Sequence, residues 1–323
     1  LASLFLTKQV ITTILFWIVN KWKPLWCFSR KSFKENFDFG YKLLLTNLIN
    51  TVYKNVYSFV IGKFFSPATL GYYNRAESFQ QPLSSNIAMG IRRMSFPILS
   101  KIQDDQTELK EKFKYFIKYS FFLSLVALTF LAATAEPIII LLMGEKWRSS
   151  IVYTQLLCIP GILYPLQILN LNLLSVKGHS NLNLKLEVVK KIIVIPVLFI
   201  SIKFGIMVLI YSLVLFSVVE FFINSFYTKK ILDYSLKDQL LDILPFGCIS
   251  SVIFVLVFSI SYLKVGLFLT LFAQTIVFFV LYFLVIKYLK IKEFDVVYGY
   301  LKAMFQKLIN TGNKGKIKKN YEE

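Results

Sequence analysis

Residues 205–227 read GIMVLIYSLVLFSVVEFFINSFY, an apolar stretch with a single charge, Glu220. A helix needs about 20 apolar residues to cross the ~30 Å hydrocarbon core of a bilayer, and this stretch is long enough. Further runs of similar length occupy residues 1–19, 40–62, 119–142, 151–174, 185–202, 240–262 and 265–287. Because hydrocarbon offers no water to satisfy the backbone, each run is predicted to be a helix. The sequence therefore predicts an all-α, polytopic membrane helix bundle.

The basic residues indicate how this bundle is oriented. The chain of 323 residues is 56% hydrophobic and has a net charge of +19. Of its Lys and Arg residues, 28 lie in five basic regions and only 6 lie in the other gaps between runs. The five basic regions are residues 20–38, 92–118, 177–191, 229–237 and 287–323. The positive-inside rule makes the rich gaps and the C-terminus cytoplasmic. No soluble domain is available to carry a nucleic-acid surface, so we expect no nucleic-acid partner. The charge is instead suited to contact with anionic membrane lipids.

Hydropathy alone does not identify one of the crossings, which we call the hidden crossing. The run 40–62 is the only apolar run between the basic gaps 20–38 and 92–118. Both gaps are predicted to be cytoplasmic, and one crossing would put them on opposite sides of the membrane. A second crossing is therefore needed within residues 71–97, GYYNRAESFQQPLSSNIAMGIRRMSFP. This crossing brings the expected total to about nine transmembrane helices. On a helix, its polar side chains at steps of three and four share one face that should line a hydrated cavity or pack on another span. They are Asn74, Ser78, Gln81 and Ser85. The alternative is a re-entrant or cytoplasmic segment.

The preceding run carries a second polar face. In residues 39–65, FGYKLLLTNLINTVYKNVYSFVIGKFF, the polar positions recur at helical spacing: Asn47, Asn50, Thr51, Lys54 and Ser58. A lysine within a span is a candidate functional group because a charge there is costly. We expect Lys54 to attract an anionic substrate group or to change its protonation. The alternative is a hydrogen-bond network that only joins helices.

Three further charges are candidates for gating or coupling. Arg75 and Glu77 lie at the outer mouth of the hidden crossing. They are expected either to gate the cavity or to form a solvated ion pair at the membrane interface. Glu220 is expected to form an interfacial ion pair near Lys229 and Lys230, with proton coupling as the alternative.

The chain contains no motif typical of an enzyme. It has no acidic pair, nucleophile elbow, HExxH or phosphate-binding glycine loop, so we expect neither catalysis nor a cofactor. The cysteines Cys27, Cys158 and Cys248 are far apart and are predicted to be free thiols, and no metal site is expected. Pro160 and Pro165 predict a kink or break in the run 151–174.

Four segments resemble polysaccharide exporters of the Wzx type, in the multidrug/oligosaccharidyl-lipid/polysaccharide (MOP) flippase superfamily. They are KWKPLWCFS (21–29), FFSPATLGYYNRAESFQQPLSSNI (64–87), RRMSFPILSKIQDDQTELKEKF (92–113) and EPIIILLMGEKWRSS (136–150). The resemblance extends from the first run to about residue 230 and is fairly specific as an ordered set.

The resemblance implies a MATE-like fold of two six-helix lobes followed by two trailing helices. On that pattern the chain lacks the family's N-terminal helices. Its parts would be the last helix of the first lobe (1–20), a basic cytoplasmic loop (21–39), the second lobe (40–230), two trailing helices (231–290) and a basic cytoplasmic tail (291–323).

The implied function is a flippase of the bacterial inner membrane. Its substrate would be an undecaprenyl-diphosphate-linked oligosaccharide for O-antigen, capsule or exopolysaccharide, moved by alternating access. Implied partners are this lipid-linked oligosaccharide, membrane lipids, the polysaccharide polymerase and the chain-length machinery. The alternatives are a cation-coupled drug antiporter of the same superfamily and a non-transporting membrane scaffold.

Overall fold

The structure is a computed structural model that describes residues 2–19, 55–263 and 265–289, together with the isolated positions Ser29, Arg30, Phe33 and Phe37. Within these residues it contains ten α-helices and no strand. The helices are α1 (Ala2–Val19), α2 (Val56–Phe64), α3 (Pro67–Lys101), α4 (Gln106–Ala133), α5 (Ala135–Met143), α6 (Ser149–Val176), α7 (Ser180–Ile202), α8 (Ile206–Leu232), α9 (Leu236–Ser259) and α10 (Leu267–Leu289). The chain divides into two compact units, Leu1–Val56 and Tyr57–Glu323.

Five helices are long and apolar enough to cross a membrane. They are α4, α6, α8, α9 with the short turn that follows it, and α10. These spans and the absence of strands in the described ranges confirm the all-α polytopic bundle. The total of about nine crossings and the division into lobes and trailing helices stay predictions, and the tail 291–323 lies outside the described residues.

The polar segment of the hidden crossing is one continuous helix, α3, of 35 residues. At 1.5 Å per residue its length is about 52 Å, more than a bilayer core requires. Ser66 caps its start by accepting a hydrogen bond from the Thr69 amide at 3.2 Å, and Pro67 occupies the first helical position, where no N–H is needed. The helical state predicted for residues 71–97 is confirmed, and the crossing stays a prediction.

Helix α6 lies at the centre of the second unit, against α3, α4 and α8. It is continuous from Ser149 to Val176 with Pro160 and Pro165 inside it. Of the predicted kink or break, the break is therefore absent and the kink stays a prediction. Close approach of α3 depends on Gly161, because a Cβ there would lie 1.9 Å from Gln80 Nε2. Glycine therefore makes room for a buried glutamine inside the bundle.

The run 119–142, predicted as one span, is divided at Thr134 between α4 and α5. Pro137 has no N–H with which to bond the Ala133 carbonyl four residues earlier. The Gln274 amide of α10 donates to this carbonyl at 3.2 Å, and the Gln155 amide of α6 donates to Ala132 O at 3.2 Å. Two distant glutamines thus satisfy carbonyls at the helix break.

The helices α9 and α10 pack on α4 through an aromatic cluster around Phe122, Phe130, Phe278 and Tyr282. Near the middle of α4, Lys118 Nζ lies 2.9 Å from Asp242 Oδ1 of α9. These contacts join the middle and the C-terminal half of α4 to the last two helices.

Candidate functional site

Two predicted cavity residues meet in the structure. The Ser58 hydroxyl of α2 donates to Asn74 Oδ1 of α3 at 2.9 Å, so the polar faces predicted for these two segments adjoin. The remaining candidates of the first face, Asn47, Asn50, Thr51 and Lys54, lie outside the described residues.

The predicted stripe along α3 faces away from the core of the unit. Asn74 and Ser78 are exposed, and Gln81 and Ser85 are half-buried. The hydroxyls of Ser78 and Ser85 donate only within the helix, to Arg75 O at 2.7 Å and Pro82 O at 3.5 Å. The stripe therefore presents amides and hydroxyls along a face that is exposed at Asn74 and Ser78 and partly covered at Gln81 and Ser85.

A neighbouring face of α3 is also partly polar, but it is buried. Gln80 and Ser84 are 8% and 4% exposed, and the Gln80 amide donates to the Ser84 hydroxyl at 2.9 Å. Further along, Asn172 of α6 donates to Ser95 Oγ at 3.0 Å. These groups bond inside the bundle, so they join helices and differ from the exposed stripe.

Arg75 is half-buried and lies over a tryptophan. Its guanidinium carbon is 5.1 Å from the centre of the Trp147 ring, and Tyr72 meets the same ring edge-on at 5.9 Å. Glu77 interacts electrostatically with Tyr73. Arg75 thus ties the start of α3 to the turn before α6, and its role as a gate stays a hypothesis.

That turn is held by an arginine between two carboxylates. Arg148 binds Glu136 at 2.9 Å and Glu145 at 2.8 Å. The hydrogen bond from Arg148 lowers the pKa of Glu145, and the hydrogen bonds to Glu145 and Glu136 raise the pKa of Arg148. The group is solvent-exposed and organises the loop.

Glu220 does not interact with the lysines predicted for it. Lys230 instead lies over the Phe226 ring at 5.0 Å. Glu220 interacts with Lys190 and Glu187 of α7 and with Gln167 of α6. The physical reason is helical geometry: Glu220 lies near the middle of α8 and faces α6 and α7, two or more turns from the lysines at the helix end.

Sequence reasoning missed Lys190. It was counted among the basic residues of a cytoplasmic gap, but it is 3% exposed and forms an ion pair with Glu187. The spacing of Glu187 and Lys190, three residues apart before an apolar run, is the signal that indicates one helical face.

A buried polar network continues from this cluster along α6 and α8. The Thr228 hydroxyl donates to Asn170 Oδ1, and the Ser225 hydroxyl donates to Gln239 Oε1 of α9 at 3.2 Å. Asn224 is fully buried, and among the described residues neither polar atom of its side chain has a hydrogen-bond partner.

The part of the chain that the structure describes has no group of three His, Cys, Asp or Glu residues that could hold a metal ion. Cys158 and Cys248 are free thiols, as predicted. Cys27 lies outside the described residues.

Comparison with known proteins agrees with the sequence motifs. Residues 1–152 match a family described as "Polysaccharide biosynthesis protein". The chain is 30% identical over 198 residues to an uncharacterized membrane protein in the cps region of Klebsiella pneumoniae, an alignment that covers 61% of this chain and 41% of the relative. It is 30% identical over 171 residues to the teichuronic acid biosynthesis protein TuaB of Bacillus subtilis, covering 52% and 35%. It is 28% identical over 199 residues to the lipopolysaccharide biosynthesis protein WzxC of Escherichia coli, covering 61% and 40%.

The matched region spans about two fifths of the length of these relatives. No solved structure matches the chain. The order of motifs, the helical bundle and these matches agree, and the predicted resemblance is confirmed: this chain is similar to proteins of polysaccharide biosynthesis, among them WzxC.

Proposed function

We propose that the protein containing this chain is a flippase that carries a lipid-linked oligosaccharide across the bacterial inner membrane by alternating access. The observation that carries the proposal is the partly exposed polar stripe of α3, which the Ser58–Asn74 hydrogen bond joins to α2. The relationship to proteins of polysaccharide biosynthesis gives the substrate class. In the same proposal the C-terminus is cytoplasmic and the flippase acts beside the polysaccharide polymerase and chain-length machinery.

The stripe is suited to sugars. Amide and hydroxyl groups both donate and accept hydrogen bonds, as sugar hydroxyls do. If the row faced acyl chains, amide N–H groups that water would otherwise bond would be left unsatisfied, at about 1–3 kcal/mol for each group, although the hydroxyls of Ser78 and Ser85 bond their own helix. A hydrated cavity removes this penalty and gives the oligosaccharide a polar path, while the undecaprenyl chain stays in the bilayer.

The diphosphate of the substrate requires positive charge. Lys54 is the cavity cation in this proposal, and it is placed by sequence alone. Arg75, which is fixed on Trp147 at the start of α3, and Glu77 beside it are the candidate gate. Glu220 is the candidate coupling residue, since it is the carboxylate that interacts with the Lys190–Glu187 pair.

The test is complementation of an exporter-deletion strain with variants of the stripe. The double variant Asn74→Leu with Gln81→Leu removes two amides from the proposed cavity. Each lost hydrogen bond of about 1.4 kcal/mol corresponds to about tenfold in rate or affinity. We expect surface polysaccharide to fall at least tenfold with normal abundance of the protein in the membrane.

The matched control is Ser251→Ala on α9. Its exposed hydroxyl bonds only to Gly247 O of its own helix, so export should be unchanged. Normal polysaccharide from the double variant would contradict the cavity, and normal polysaccharide from Lys54→Ala would remove that lysine from the mechanism.

A cation-coupled drug antiporter is the second candidate. The observation in its favour is Glu220, a carboxylate within the bundle near the middle of α8. Resistance to toxic cations that depends on Glu220, with unchanged polysaccharide, would favour it. Loss of neither export nor resistance in any variant would favour a non-transporting scaffold.

A further inference from the structure

A groove lies between the end of α3 and the start of α4, at the end of the bundle predicted to be cytoplasmic. Its volume is about 390 Å³. Ile98 of α3, which is 43% exposed, and Tyr115 and Phe116 of α4 give it apolar walls. Glu111 and Lys112 complete its lining and are exposed. Apolar walls with charged residues beside them suit an amphipathic segment.

The groove continues the surface of α4 on which α10 packs. Tyr115, Phe122 and Phe130 follow one another at about two helical turns and therefore share one face of α4. The Phe122 ring lies 6.4 Å from the Tyr282 ring of α10, and the Phe130 ring lies 5.1 Å from the Phe278 ring. Helix α10 thus covers the later part of this face, and the groove occupies the part before Phe122.

Helix α10 ends level with the groove. The contacts of Phe122 with Tyr282 and of Phe130 with Phe278 show that α4 and α10 are antiparallel. From Tyr282 to the end of α10 at Leu289 the helix rises about 10 Å, and the same rise along α4 leads from Phe122 to the groove. The chain therefore leaves α10 beside the groove, and residues 290–323 follow.

The sequence after α10 has the pattern of an amphipathic helix. Residues 291–309 read IKEFDVVYGYLKAMFQKLI. Apolar side chains recur at steps of three and four residues and form one stripe about 80° wide. They are Phe294, Val297, Leu301, Phe305 and Leu308. A stripe of this kind requires an apolar surface to cover it.

The charges on the two sides are opposite. Residues 104–111, at the start of α4, include four acidic residues and one lysine. That lysine, Lys110, donates to Asp233 O at 2.7 Å, so its charge is directed to the turn before α9. Residues 302–319 contain six lysines and no acidic residue. Opposite charge steers the segment after α10 towards the start of α4.

We propose that residues 291–309 dock as an amphipathic helix in the groove between α3 and α4 and extend the packing of α10 on α4. The apolar stripe covers Ile98 and Tyr115, and the lysines that follow it face the acidic start of α4. The docked helix would then join α10 to the end of α3, the helix that carries the polar stripe. The docking is independent of the proposed function.

Photocrosslinking tests the contact directly. Benzoylphenylalanine replaces Tyr115 in the protein containing this chain, which is purified in lipid nanodiscs and irradiated. We expect an intrachain crosslink to a peptide within residues 291–309, identified by mass spectrometry. The control places the same amino acid at Phe226, an exposed aromatic residue near the end of α8, where it should not label this segment.

Limited digestion with trypsin measures the strength of docking. Cleavage after Lys302 requires the segment to leave the groove, so its rate follows the undocked fraction. Phe294→Ser and Tyr115→Ser should each raise this rate by about tenfold, since each removes a large apolar side chain from the contact. The two changes together should add little, because either one releases the segment. The control Phe226→Ser should leave the rate unchanged.

Three results would overturn the proposal. Benzoylphenylalanine at position 115 labels lipid and not the segment, neither Phe294→Ser nor Tyr115→Ser changes the cleavage rate, or protection depends on anionic lipid in the nanodisc and not on Tyr115. The first and the last result would place the segment on the membrane surface. If Tyr115→Ser does not fold, the crosslink and Phe294→Ser still decide.

Discussion

The pairing of Gln274 with the helix break at Pro137 gives a quantitative prediction. Gln274 is fully buried, and its amide nitrogen lies 3.2 Å from Ala133 O, 3.3 Å from Val257 O and 2.9 Å from Ser261 Oγ. It therefore joins the break between α4 and α5 to the end of α9. Gln274→Leu keeps the size of the side chain and removes these contacts.

The expected loss follows from the number of hydrogen bonds. A hydrogen bond between membrane helices contributes about 0.6 kcal/mol on average and up to about 1.7. Gln274→Leu removes the hydrogen bonds made by the two amide hydrogens and leaves the Ala133 carbonyl without a donor. Together these losses should lower the free energy of unfolding by about 2 kcal/mol. The control Thr275→Val removes a hydroxyl that bonds only to Leu271 O of its own helix, and should cost under about 0.5 kcal/mol.

The substitution Pro137→Ala tests whether Gln274 compensates for the N–H that proline lacks. Alanine at this position restores an N–H that can bond Ala133 O, so Gln274 becomes less necessary. A double-mutant cycle in mixed detergent micelles should therefore give an interaction energy of about 1 kcal/mol between Gln274→Leu and Pro137→Ala. Additive effects of the two changes, or a loss for Gln274→Leu no larger than for Thr275→Val, would refute the reasoning.

Two other changes have expected outcomes. Gly161→Ala should lower the free energy of unfolding by about 1 kcal/mol or more, because its Cβ would lie 1.9 Å from Gln80 Nε2 and 2.9 Å from Leu128 Cδ1. Adding Gln80→Ala removes the closer clash and should restore part of the loss, and failure of this rescue would place the strain elsewhere. Tyr234 donates to Asp242 Oδ2 at 2.8 Å, and burial together with this hydrogen bond raises the pKa of its phenol. Because the folded state favours the protonated phenol, its contribution to stability is complete below the unfolded pKa of about 10 and declines as the pH rises above that value. Tyr234→Phe should reduce this alkaline decline in a pH series of melting temperatures, and an identical decline in both proteins would contradict the assignment.

The helix α3 shows how far sequence reasoning reaches. Hydropathy gives no span between residues 71 and 97, but the alternation of basic gaps requires a helix there, and one is present. Helical spacing also placed Asn74 and Ser78 on a common face, away from the buried Gln80 and Ser84. Local periodicity is sufficient for these results because each concerns a single helix.

Contacts between helices were beyond such reasoning. Pro137 is visible in the sequence, but the donor that satisfies Ala133 O comes from Gln274, 141 residues later. Lys190 was misjudged for a related reason. A count of charges treats every lysine alike, and only the packing of α7 on α8 distinguishes a buried, paired lysine from one that remains in a cytoplasmic loop.

The buried amides also bear on where substrate could bind. Gln155 and Gln274 bond carbonyls at a helix break, and Asn170 and Gln239 join α6 to α8 and α9. Folding explains each of these side chains. It does not explain the stripe of Asn74, Ser78, Gln81 and Ser85, whose hydroxyls bond only their own helix and whose one bond to another helix is from Ser58. Because exposed amides gain nothing from lipid, the proposal that this stripe lines a hydrated cavity accounts for a polarity that folding leaves unexplained.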